Sequence, residues 1–330
     1  MANIIVTGGA GYIGSHVCKA LKAAGHVPVA YDNLSRGYEM LVRWGPLERG
    51  DINDQGRLTE VFARYAPLAV IHLAGFAFVN ESVARPELYR LNNVAGTATL
   101  LAAMRAGGVT RIVASSSCSV YASAPTPLNE GSTLAPASPY AQSKVAMEQA
   151  LAAEPGLKWV ALRYFNAAGA DPEGDTGEIT NAGVRVIPNL FDTALGLRPV
   201  FQIMGDDYPT PDGTCVRDYT HVCDIAAAHL SALAYLEQGT EHVLNLGNGQ
   251  GHSIRAMIKA AETATGRAIR TETAPRRPGD PASLMADAAR AARALPWTPR
   301  YPHLADMIAH AWAWHRKIPD ALRLCAPGGT

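Results

Sequence analysis

The chain has 330 residues, with 29 basic and 29 acidic side chains, no formal net charge, and 48% apolar residues. That length supports one large two-part domain or two domains with a substantial core. The charge balance gives no footing for nucleic acid or an anionic membrane surface as partner, although a few local arginines would suffice for an anionic small molecule. Cysteines stand at 18, 118, 215, 223 and 325. An odd count without C-x-x-C spacing points to neither a disulfide framework nor a metal site, and fits a reducing cytoplasm. The apolar runs are too short to span a bilayer, and no basic-then-apolar leader is visible before "NIIVTGG".

Taken in order, "NIIVTGG", "VPVAYDN", "LAVIHLAG", "RIVASSS" and "KWVALRYFN" read as short buried strands. Helical stretches such as "GSHVCKALKAAG" and "ELYRLNNVAGTATLLAAMRAGG" lie between them. This alternation predicts an α/β fold with a doubly wound parallel sheet over about residues 1–170. Beyond 170 the pattern loosens. "DPEGDTGE" and "GDDYPTPDGT" read as surface loops, "HVLNLG" as a late strand, and "ADMIAHAWAWHRK" as a closing helix. A smaller mixed α/β lobe is expected over 171–330, with some of its chain returning to the main sheet.

"TGGAGYIG" follows the first strand and opens a helix, so Gly8, Gly9, Gly11 and Gly14 sit where a glycine turn lets backbone N–H groups approach a pyrophosphate. The second strand ends at Asp32, whose carboxylate suits ribose hydroxyls and repels a 2′-phosphate, favouring NAD over NADP. Arg36 lies close enough in sequence to bear on that choice. Asp51 in "GDIND" either meets an adenine amino group or caps a helix. The small residues of "HLAGF" suit a backbone passing close to a cofactor, and His72 is read as packed in the sheet.

Ser138 and Pro139 suit the N-cap and first turn of a helix. Tyr140 and Lys144 then share one face at i and i+4. An ammonium beside a phenol would lower its pKa and make Tyr140 a proton acceptor. Ser117, at the end of a strand, is placed to share a proton with a substrate hydroxyl, while Ser115 and Ser116 are expected to satisfy their own backbone.

The glycine turn, serine-ended strand and Tyr-x-x-x-Lys helix together resemble an extended short-chain dehydrogenase/reductase, with a Rossmann-type sheet. "VTGGAGYIGSHVC", "DNLSRG", "SPYAQSK", "LRYFNAAGA", "GDDYPTPDGTCVRDYTHV", "NLGNGQGHS" and "APRRPGDP" narrow this to a resemblance to the UDP-glucose 4-epimerases, running to about residue 315. The resemblance implies that Tyr140 is the base for the sugar 4-hydroxyl, that Ser117 bridges to that hydroxyl, and that Lys144 binds the nicotinamide ribose. It implies tightly bound NAD, held by Gly8, Gly11, Tyr12, Ile13 and Gly14 at the pyrophosphate and by Asp32, Asn33, Asp51 and Ile52 at the adenosine. Leu73, Ala74, Gly75, Asn92, Ser115 and Tyr164 would complete the cofactor site. Asn166, Val186, Arg217, Arg277 and Asp280 would hold the UDP-sugar, the arginines on the diphosphate and Asp280 on the uridine ribose. The implied reaction oxidises C4, turns the 4-keto sugar over and reduces the other face. A homodimer through helices near 87–106 and 139–153 is also implied.

Three positions depart from the commonest pattern: Ala77 where a lysine is frequent, Leu284 where a tyrosine often limits the sugar pocket, and Arg185 where Asn or His is usual. They bear on the sugar: glucose/galactose, a pentose, an N-acetylhexosamine or a glucuronate. A nucleotide-sugar dehydratase would need an acid pair after Ser117, where Cys118 and Ser119 stand. A reductase would exchange its cofactor with solvent.

Overall fold

The computed structural model describes residues 1–122, 127–179, 185–240, 242–277, 279–319 and 322. The largely apolar runs form β1 (Asn3–Thr7), β2 (Val27–Asp32), β4 (Ala69–His72), β5 (Arg111–Ser117) and β6 (Lys158–Tyr164), and the short charged segment Leu47–Arg49 adds β3. Later chain adds β7 (Asn166–Ala168), β8 (Phe201–Met204), β9 (Val216–His221), β10 (Val243–Leu246), β11 (Gly251–Ser253), β12 (Thr271–Ala274) and β13 (Ser283–Leu284).

Seven strands make one sheet in the order β10-β6-β5-β4-β1-β2-β3, with every pairing parallel. The chain builds outward from β1 to β3, then restarts beside β1 at β4 and builds the other way. That reversal leaves a crevice at the carboxyl ends of β1 and β4, where ligands bind in open α/β sheets. Strand alternation divides the core. Ile4 and Val6 face a cluster with Val17 and Leu21 of the Tyr12–Ala23 helix and Ile225 of the Val222–Tyr235 helix. Ile5 faces Leu58, Met104 and Met147 on the other side. Each such fully buried aliphatic side chain contributes about 1.5–3 kcal/mol.

A second cluster, including Leu190, Phe191, Met257, Met307 and Ile308, joins the helices Val186–Ala194, Ile254–Thr265 and Leu304–His315. Around them lie the parallel pair β8–β12 and a small sheet built on β9, which pairs with β7, β11 and β13.

Two expectations are corrected. The stretch 87–108 is not one α-helix: α-helical Pro86–Tyr89 passes into a π-helical run, Arg90–Ala95, before α-helical Gly96–Ala106. The widened turn goes with inward-facing Tyr89 and Asn93. The Tyr89 hydroxyl meets Phe78 and Glu81, and Asn93 Nδ2 donates to Phe76 O and Ser143 Oγ, both at 3.0 Å. Nor are the two Gly/Pro/Asp-rich stretches simply surface loops, since Asp171, Thr176, Tyr208 and Thr214 are buried. Polar groups there find internal partners, as burial of loop backbone requires: Thr176 shares a 2.6 Å hydrogen bond with Ser15, and Asp212 accepts from Thr214 and Ser253, while the Tyr208 hydroxyl has no hydrogen-bond partner among the described residues.

Candidate active site

The turn after β1 is built by close approach. Gly8 has φ +73°, and a Cβ there would lie 2.8 Å from the backbone of Leu73 and Ala74. A Cβ on Gly14 would strike the Gly8 carbonyl. Gly11 is the N-cap of the Tyr12–Ala23 helix and offers no side-chain cap, and the first turn has no acidic residue. That terminus is therefore free to receive an anion. Ile13 packs against the core beneath it, and Tyr12 donates its hydroxyl to Gly169 O at 2.6 Å.

Asp32 is buried and accepts from Ala10 N at 3.0 Å and Leu34 N at 2.8 Å, which ties the end of β2 to the glycine turn. Burial raises its pKa against those two hydrogen bonds. Asn33 donates to Asp51 at 2.7 Å. Burial raises the Asp51 pKa, but hydrogen bonds from Asn53 and Asn33 outweigh it and hold this carboxyl below its ordinary value. The Ile52 side chain is core, packed within the cluster beneath the sheet. Leu73 N donates to Thr7 O, so the residues after β4 run beside the turn. Gly75 lies against Lys144 and Asn93, and Asn92 donates to Asn93 at 2.9 Å. Arg36 is turned to Glu81. The residues thus fit NAD: a side-chain-free cradle, an open helix N-terminus, and a carboxylate at the end of β2.

At the end of β5 the helix Pro139–Ala153 is capped by Ser138, whose hydroxyl accepts from Ala141 N at 3.2 Å, with proline in the first turn. Its Tyr140, Lys144 and Glu148 are all buried, on one face at successive i+4 steps. Lys144 Nζ donates to Ser115 O at 2.7 Å and lies 6.0 Å from the Tyr140 ring centroid. Burial raises the Tyr140 pKa, against hydrogen bonding with Ser117 and the positive field of Arg185. Here the sequence expectation is corrected. With Lys144 directed at the Ser115 carbonyl, desolvation dominates the phenol, and burial also lowers Lys144 to about 8, opposed by Glu148. Ser117 Oγ accepts from Ser119 N and Oγ at 3.2 and 3.0 Å.

The serine expectation is corrected as well. Ser115 and Ser116 turn their hydroxyls to other side chains rather than to their own backbone. Tyr164 OH donates to Ser115 Oγ, and Ser116 Oγ donates to Glu148 Oε1 at 2.5 Å. Glu148 also takes Arg163 Nε at 2.8 Å and Nη2 at 2.5 Å. Arg163 continues to Tyr121 OH at 2.9 Å, and Tyr121 to Asn245 at 2.7 Å. The sequence reading missed this buried network behind the Tyr140 helix. Its only signal was the "SKVAMEQ" spacing, which looks like an exposed Lys–Glu pair.

Register carries this site into the smaller lobe. Ser117 pairs with Tyr164, Asn166 with Tyr219, and Arg217 with Leu284. Asn166 donates to Asp218 O at 2.9 Å. Arg217 pairs with Asp280. Leu284 packs with Cys118 and Phe165 beside Ser117. Arg277 is exposed on the same loop as Asp280, whose N–H donates to Arg277 O. Ala77 is exposed. Val186 begins the helix for which Arg185 is the N-cap. Arg185 meets Glu178 at 2.9 Å.

A model of the NAD dependent epimerase/dehydratase family matches residues 4–247. The UDP-glucose 4-epimerase of Rhizobium meliloti (strain 1021) is 48% identical over 320 residues, covering 96% of this chain and 97% of that one. The chain belongs to this epimerase family. The UDP-glucose 4-epimerase of Brucella ovis, solved in complex with NAD, superposes with a TM-score of 0.90 at 44% identity, covering 94% of this chain and 98% of that one. The enzyme from Stenotrophomonas maltophila, solved with NAD and formylated UDP-arabinopyranose, gives 0.92 at 38% identity, covering 96% and 98%. The doubly wound sheet expected from sequence is the family's fold. Among the described residues no helix is long and apolar enough to cross a membrane.

Proposed function

We propose that this chain is an NAD-dependent UDP-sugar 4-epimerase that interconverts UDP-glucose and UDP-galactose through a transient 4-keto sugar. The observation that carries this reading is the continuous arrangement of three parts. They are the glycine-turn crevice, the buried Tyr140–Lys144 face against Ser115 and Ser117, and the Arg217–Asp280 pair on β9 and its neighbouring loop. NAD would lie on the glycine turn and along the ends of β4 and β5, and when bound it supplies the hydride acceptor and donor for C4.

Tyr140 takes the proton of the 4-hydroxyl and later returns it, with Ser117 bridging to the same hydroxyl. Lys144 stabilises the phenolate and meets the nicotinamide ribose. When bound, NAD⁺ would add its charge to that of Lys144 and oppose the desolvation that raises Tyr140 in the protein alone. Arg217 turns from Asp280 to the diphosphate, Arg277 joins it, and the released Asp280 carboxylate accepts the uridine ribose hydroxyls. The sugar is thus held through its nucleotide while it rotates. Residues 1–170 serve the cofactor and 171–330 the nucleotide sugar.

The Arg185–Glu178 pair favours an uncharged sugar over a uronate. Exposed Ala77 and the leucine at 284 support a second reading in which another UDP-sugar, a pentose or N-acetylhexosamine, is also accepted. A homodimer through 87–106 and 139–153 and a cytoplasmic setting belong to the same proposal. The test is purified protein without added cofactor, assayed by kcat/KM on UDP-glucose, UDP-galactose, their N-acetyl forms, UDP-xylose, UDP-arabinose and UDP-glucuronate. Interconversion of the first pair supports the proposal. Turnover of none of them sinks it.

A further inference from the structure

The segments leaving β2 and β4 flank β1 on either side, and all three strands run parallel. Any contact between the two segments therefore passes above the glycine turn at the end of β1. Among the described residues, Arg36 makes that crossing. Arg36, from the β2 side, pairs with Glu81 at 2.5 Å. Its guanidinium also lies 5.0 Å from the Phe76 ring centroid and 5.5 Å from that of Phe78.

Both ends are anchored. On the β2 side, Asp32 accepts from Leu34 N and Ala10 N, and Tyr38 N donates to Ala10 O. On the β4 side, Phe76 N donates to Asn93 Oδ1 at 2.9 Å and Phe78 N to Tyr89 OH at 3.0 Å. The second oxygen of Glu81 lies 2.9 Å from the Tyr89 hydroxyl, and the Tyr89 ring stands edge-on to Tyr140 at 6.3 Å. Ala77, between the two phenylalanines, is left exposed. Arg36 thus brings a cation to this crevice from the β2 segment.

The geometry points to Arg36 as a cofactor-retaining residue: with Glu81, Phe76 and Phe78 it forms a clasp across the crevice that a bound dinucleotide must open to leave. This rests on the reading of the crevice as the NAD site. Its guanidinium is engaged by Glu81 and two aromatic faces. Charged pairs and cation–π contacts of this exposure are individually weak, so the clasp governs the rate of release rather than holding the fold together.

The experiment measures exchange of bound NAD for isotopically labelled NAD, and NAD content per chain after purification, for the parent, Arg36→Ala, Arg36→Lys and Glu81→Gln. Arg36→Ala should exchange about tenfold faster and carry less NAD. Arg36→Lys should fall between, since it keeps the charge but loses the planar fork. Glu81→Gln should move in the same direction, and combining it with Arg36→Ala should add little. A cofactor-free melting temperature close to the parent's shows that the variant folds. Arg36→Ala and Arg36→Lys exchanging at the parent rate overturns the clasp and leaves the cofactor reading standing. A parent chain that neither carries nor takes up NAD overturns both.

Discussion

Replacing Glu148 by alanine removes the acceptor shared by Ser116 and Arg163 and leaves Arg163 as an uncompensated cation, 4% exposed, beneath the sheet. Breaking a buried ion pair from one side costs about 3–5 kcal/mol. For a chain of 330 residues, the unfolding entropy is about 0.7 kcal/mol per kelvin, so the melting temperature should fall by about 4–7 °C. Glu148→Gln keeps the volume and should cost less. Glu148 also raises the pKa of Lys144 against the burial that lowers it to about 8, so removing the negative charge lowers Lys144 further. The alkaline limb of the kcat–pH profile should then move to lower pH in Glu148→Gln. Calorimetry and a pH–rate profile with NAD in excess check both consequences. An alanine variant within about 1 kcal/mol of the parent, with an unmoved alkaline limb, would refute both the buried Glu148–Arg163 pair as a stabilising contact and the effect of Glu148 on Lys144.

Tyr140→Phe removes the proposed base while keeping the ring against Tyr89, and kcat on UDP-glucose should fall by about 10²–10⁴-fold with little change in melting temperature; parent-like turnover would dismiss the base. Gly14→Ala sets a Cβ against the Gly8 carbonyl, so NAD content per chain should collapse, and full NAD occupancy would show that the turn has slack. Burial lowers His16 and His229 to about 4 and His72 and His221 to about 3. Between the ordinary value of 6.5 and these folded values the unfolded chain binds more protons, so stability is full above 6.5 and falls with acid, each histidine adding about 1.4 kcal/mol per pH unit. A denaturation midpoint flat from pH 7 to 4.5 would contradict that burial.

The main sheet was legible because its strands are short apolar runs ended by glycine or small residues, and Ser138-Pro139 marked the Tyr140 helix through local capping chemistry. β9 was not legible. In "VRDYTH" the alternation is interrupted by Arg217 and Asp218, and the strand exists because Asp218 accepts from Asn248, Gly249 and Ala286 far along the chain. The π-helical run is hidden for a similar reason, since Asn93 finds its partners in Phe76 and Ser143. The Tyr140 pKa was misread because a Tyr-x-x-x-Lys spacing gives proximity but neither the direction of the ammonium nor the depth of burial. Arg36 and Glu81 are 45 residues apart, and only the order of the strands brings them together.

The most direct test of the account follows the hydrogen on C4. UDP-glucose carrying deuterium at C4 is converted by the purified protein in ordinary water without added NAD, and the product is examined by NMR and mass spectrometry. The account predicts UDP-galactose with the deuterium retained at C4, because the hydride leaves and returns within one enclosed site while Tyr140 handles only the hydroxyl proton. Product with protium at C4, or no product at all, would contradict it.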